Sequence, residues 1–113
     1  MGALAGTVVV GVSAGSQHTA VWTDAEELFT FGEGGGGRLG HGGEADELVP
    51  RLVGELAGKK VIGAAAGTMH TAVWTDGGEL FTFGDGAFGE LGHGGEQNEL
   101  VPRLVEALAE FTA

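Results

Sequence analysis

With 113 residues and a formal charge of −11, set by 16 acidic against 5 basic side chains, the chain is one small domain ill suited to nucleic acid or anionic membranes. The absence of Cys removes disulfides, thiolate-bound metals and thiol nucleophiles. Gly supplies 24 residues, which in an aperiodic chain would read as low complexity, but here it recurs at intervals among Val, Phe and Trp, so a folded domain is expected.

Taken in chain order, the first predicted strand is Val8 to Ala14, ending in small side chains that suit a strand where sheets converge. His18 to Thr23 follows, with Thr19, Val21 and Thr23 on one face and Ala20 and Trp22 on the other, the period of two of a strand sandwiched between layers. Leu28 to Phe31 returns beside it after a hairpin at Thr23-Asp24. Leu48 to Val53 carries Pro50, which cannot donate to a ladder, so this strand belongs at the edge. Helix is confined to a possible turn or two at Val105 to Glu110. No apolar run approaches the roughly 20 residues that span a bilayer, and the first residues lack the basic start of a signal peptide, so a soluble protein of the cytoplasm or nucleus is expected.

The same four pieces then recur. A shift of 52 residues aligns Val9–Lys60 with Val61–Thr112 without a gap, and 34 of the 52 pairs are identical. His18-Thr-Ala-Val-Trp-Thr-Asp24 returns as His70 to Asp76, Leu28-Phe-Thr-Phe-Gly32 as Leu80 to Gly84, and Leu48-Val-Pro-Arg-Leu-Val53 as Leu100 to Val105. The chain is therefore read as a single two-repeat segment, 1–113, with repeats over about 9–60 and 61–112 and with residues 1–8 echoing 53–60.

Four strands in about 50 residues is the size of a β-propeller blade. The unit Gly-x-x-His-Thr-Ala, then Leu-Phe-Thr-Phe-Gly-x-Gly, then Gly-x-Leu-Gly-His-Gly, running from Gly15 and again from Gly67, resembles the repeat of the regulator of chromosome condensation family. The resemblance covers essentially the whole chain and implies an all-β propeller of four-stranded antiparallel blades, two per chain. In that family a propeller usually has seven blades, and members that exchange nucleotide on a small GTPase use an inserted loop and an end face of the full ring. No insertion breaks the 52-residue register here.

Several patterns tempt a chemical reading. Gly32-Glu-Gly34-Gly-Gly-Gly37 and Gly84-Asp-Gly86-Ala-Phe-Gly89 both match Gly-x-Gly-x-x-Gly, but no helix can follow to receive a pyrophosphate, so each reads as a loop crossing the blade. His18 and His70, like His41 and His93, are separated by a whole repeat, which argues against a shared metal site. His18 and His70 are assigned structural roles as hydrogen-bonding braces for loop backbone, and Trp22 and Trp74 are placed between adjacent blades. No catalytic residue, cofactor or metal is assigned.

The expected function is that of a non-enzymatic protein-binding scaffold; the alternative is a fragment or relative of a guanine-nucleotide exchange factor for a small GTPase. Differences between the repeats mark candidate partner contacts: Arg38 against Glu90, Gly36 against Phe88, and Ala45-Asp46 against Gln97-Asn98. Two blades do not close a ring, so copies of the chain are expected to associate, as a tetramer first and a trimer next. Because residues 106–113 and 2–9 are equivalent pieces, one terminus is expected to be displaced on closure.

Overall fold

In a computed structural model of the chain, residues 8–56, 58–86, 91 and 97–105 are described. They form two four-stranded antiparallel sheets. The first comprises β1 (Val9–Ala14), β2 (His18–Thr23), β3 (Leu28–Gly32) and β4 (Glu47–Leu52), and the second β5 (Val61–Ala66), β6 (His70–Thr75), β7 (Leu80–Gly84) and β8 (Glu99–Leu104). Within each sheet the spatial order follows the chain, so β4 and β8, which carry Pro50 and Pro102, are edge strands. Each sheet has the up-and-down form of a propeller blade. Residues 106–110 of the expected helical piece and both chain termini lie outside the described residues.

The register assigns each face. Trp22 opposes Leu28 and Ala20 opposes Thr30 across the β2–β3 ladder, so these four lie on one face, while Val21 and Phe29 lie on the other. Sheet 2 repeats the register residue for residue, with Trp74 opposite Leu80 and Val73 opposite Phe81. The core is built where sheet 1 turns its Ala20 and Leu28 face toward the Val73, Phe81 and Phe83 face of sheet 2. Val53 and Leu56, on the connection to sheet 2, close the base of this layer, and Ala64 completes it beside β1.

Glycine makes the close approaches possible. A Cβ on Gly11 would lie 2.1 Å from the Trp22 ring, and one on Gly63 would lie 2.2 Å from the Trp74 ring, so each indole lies on the bare backbone of the neighbouring strand. Gly15 serves the boundary between sheets: a Cβ there would meet the Gly67 carbonyl oxygen at 2.3 Å and the His18 ring at 2.8 Å.

Candidate functional site

Polar side chains from both repeats meet at the seam between the two sheets. His18 Nε2 lies 2.9 Å from Thr71 Oγ1, and the Thr71 hydroxyl donates to the Arg38 carbonyl at 2.8 Å. That hydroxyl has one proton. Since it goes to Arg38, His18 must donate from Nε2, leaving Nδ1 bare, and Nδ1 is buried without a hydrogen-bond partner. Burial foremost, then the positive charge of Arg38, lowers the His18 pKa to about 4. The brace thus reaches a side chain of the next sheet, Thr71, which in turn holds the Arg38 carbonyl of the loop.

The glycine-rich loop after β3 is the second fastening. Residues 34–43 leave sheet 1 through a single 3-10 turn at Gly35–Gly37 and cross onto sheet 2, where Gly42 N donates to the Leu100 carbonyl at 2.9 Å. A Cβ on Gly37, at φ +86°, would meet Leu100 Cδ2 at 2.6 Å, and one on Gly40, at φ +78°, would meet the Phe83 ring at 2.7 Å. These glycines therefore admit a packed neighbour, in left-handed conformations that other residues rarely adopt. Thr30 holds the loop from below: its hydroxyl donates to the Leu39 carbonyl at 2.8 Å and so accepts from His41 Nε2, also at 2.8 Å. Thr82 repeats the first of these bonds to the Leu91 carbonyl at 2.7 Å. Burial, then Arg51, lowers the pKa of His41.

Arg38 rides on this loop and is 5% exposed, donating to the carbonyls of Gly35 at 3.1 Å and Thr68 at 3.3 Å. It lies within the seam. Asp46 and Asn98 are exposed and act on turns, Asp46 Oδ1 accepting from Gly34 N at 3.0 Å and Asn98 Oδ1 from Gly86 N at 3.1 Å. Phe88, Glu90 and His93 lie outside the described residues. Trp22 is packed against the inter-sheet core, whereas Trp74 is 41% exposed because among the described residues no sheet lies over its face. His70 likewise stacks on Gly67 at the edge of that open face.

Sequence reading missed Thr71, Thr30 and Ser13, whose Oγ accepts from Ala66 N at 2.9 Å across the seam. The signal available was the Thr that follows His in both repeats and the Thr between the two Phe residues. Two shallow hollows of about 190 and 260 Å³ flank His41 and Arg51, but Arg51 is paired with Glu47 at 2.6 Å and His41 with Thr30. Among the described residues no group of three or more His, Asp or Glu is placed to hold a metal ion, and no helix is long and apolar enough to cross a membrane.

The family model for the regulator of chromosome condensation (RCC1) repeat matches residues 26–74 and 77–113. Each match begins just before the third strand of a sheet, so the first runs from β3 through β6 and straddles the seam. The human E3 ubiquitin-protein ligase HERC2 is 42% identical over 112 residues, which is 97% of this chain and 2% of HERC2. The crystal structure of human WBSCR16 superposes with a TM-score of 0.79 at 30% identity, over 85% of this chain and 25% of that one. Prp20p from Saccharomyces cerevisiae, whose structure was described with its binding properties to Gsp1p and histones, superposes with a TM-score of 0.80 at 20% identity, over 89% of this chain and 26% of that one. The chain thus spans a small fraction of HERC2 and about a quarter of the two solved propeller chains.

Proposed function

The chain belongs to the regulator of chromosome condensation (RCC1) repeat family, and from that membership we propose that it is a non-enzymatic, protein-binding β-propeller segment that assembles with copies of itself into a ring. The observation that carries this reading is the use made of the polar side chains at the seam and under the loop. His18, Thr71, Thr30, His41 and the Arg38 side chain are all engaged in joining sheet to sheet or loop to sheet, in bonds of 2.8 to 3.3 Å. What the molecule offers outward is the two end faces of the sheets and the loops between strands, surfaces suited to recognition. The binding of proteins named for Prp20p supports a scaffold role by analogy of fold alone.

Whole copies with two blades each give rings of four, six or eight blades. The seam favours the wider rings. Gly67 O already sits where a Cβ on Gly15 would be, so a sharper angle between sheets would drive backbone into backbone. A cyclic tetramer is therefore preferred, then a trimer. Sedimentation equilibrium over a concentration series tests the reading: a mass of four or three times 11.4 kDa supports it, and a cooperatively folded species of 11.4 kDa at all concentrations overturns the self-assembly.

A further inference from the structure

The internal repeat lets one joint serve as the template for another. Wherever sheet 1 meets sheet 2 inside the chain, a residue of one repeat touches a residue of the other, and the same residue types recur on the two outer faces. Leu28 is 1% exposed under sheet 2, whereas its equivalent Leu80 is half-buried. His18 is buried, whereas its equivalent His70 is half-buried. On the opposite face, Ala64 is 5% exposed in the seam while Val12, its equivalent, is 60% exposed. Leu100 is partly covered by the loop from sheet 1, while Leu48 is 93% exposed. Val21 and Phe29 are already buried, so the open part of the sheet 1 face is the region of Val12, Thr19, Phe31 and Leu48.

We infer that the Ala72, Trp74 and Leu80 face of sheet 2 docks on the Val12, Thr19, Phe31 and Leu48 face of sheet 1 in a second copy of this chain, with His70 Nε2 donating to Thr19 Oγ1 of that copy. This assignment rests on the self-assembly proposed above and specifies its joint. The His70 and Thr19 pair reproduces that of His18 and Thr71, and Gly78 O and Val9 N stand where Glu26 O receives Val61 N at 3.0 Å inside the chain. The contact is head to tail, using different surfaces of the two copies, so each copy keeps one face of each kind and the chain of contacts closes only as a ring.

Among the described residues one seam bond has no counterpart at this joint: Ala65 occupies the position of Ser13, whose Oγ accepts from Ala66 N. The joint between copies is consequently weaker than the seam within one, and association is reversible. The charge of −11 per copy opposes it further, so screening by salt strengthens association.

Two variants block one face each without touching the core: Val12→Lys/Leu48→Glu on sheet 1 and Ala72→Lys on sheet 2. Far-ultraviolet circular dichroism and melting verify the fold of each. Each variant alone should sediment at 11.4 kDa, and an equimolar mixture should form a complex of twice that mass, because each retains the face the other lacks. Either variant assembling as the unaltered chain does, or a mixture that stays monomeric, overturns the joint while leaving self-assembly by another surface standing. The unaltered chain remaining at 11.4 kDa throughout overturns self-assembly itself. In the opposite direction, Ala65→Ser restores the missing seam bond and should lower the midpoint concentration of assembly about fivefold. An unchanged midpoint overturns the equivalence of joint and seam.

Discussion

The Nε2 of His18 and the Oγ1 of Thr71, 53 positions apart in sequence, meet at 2.9 Å across the boundary between two sheets, and the single hydroxyl proton decides the direction of the bond. Thr71 gives its proton to the Arg38 carbonyl, so it can only accept from His18. Thr71→Val would leave both the Arg38 carbonyl and the His18 N–H buried without a partner, at a cost of about 2 to 4 kcal/mol. Thr19→Val, at the equivalent position of the open face, should change the stability of the dilute monomer by less than about 0.5 kcal/mol. Urea unfolding of the two variants at low protein concentration checks the contrast.

Acid should loosen the seam. The folded state lowers the pKa of His18 to about 4 from the ordinary 6.5, so the folded protein binds fewer protons than the unfolded chain in this interval. The stabilisation is complete above about pH 6.5 and is lost as pH falls from there through about 4. His41 shifts in the same direction and adds to the same acid limb. His18→Gln keeps an N–H for Thr71 and removes one titrating group, so the melting temperature of this variant should fall less steeply between pH 6.5 and 4. An identical slope in both proteins would show that the seam histidine does not govern the acid limb.

Glu26 adopts φ +64°, the left-handed region, where the second repeat has Gly78 at φ +83°. Its carbonyl accepts from Val61 N across the seam at 3.0 Å, which holds the residue in that conformation. Glu26→Gly relieves the clash of Cβ with backbone at the expense of a more flexible unfolded chain, and a net gain of about 0.5 to 1 kcal/mol is expected. Differential scanning calorimetry of the variant tests it, and a lower melting temperature is the contrary result.

The two tryptophans should behave differently despite identical local sequence. Trp22 is packed against the core between sheets and Trp74 is 41% exposed. Trp22→Ala is expected to cost about 3 to 5 kcal/mol and Trp74→Ala less than half of that in the dilute monomer. Fluorescence of the two single-tryptophan variants supplies a second measurement: the protein retaining Trp74 should emit at longer wavelength at low concentration and shift toward the blue as copies associate.

The strands were legible in the sequence because their signals are local. Alternation in His18 to Thr23, the Thr-Asp hairpin and Pro50 each constrain neighbours a few residues apart, and the strands of each sheet lie in chain order. The 52-residue repeat added the architecture, since one unit cannot bury both of its faces and two units of the same pattern stack. The partners of individual side chains were decided only by the tertiary structure. Nothing near His18 in sequence points to Thr71, and nothing near Gly15 points to the Gly67 carbonyl, because both contacts arise when two sheets of the same pattern come together at a distance set by their side chains. For the same reason Trp22 and Trp74 read alike along the chain and differ in the molecule. A residue's local pattern sets which face it occupies, but only packing against another sheet determines whether that face is covered.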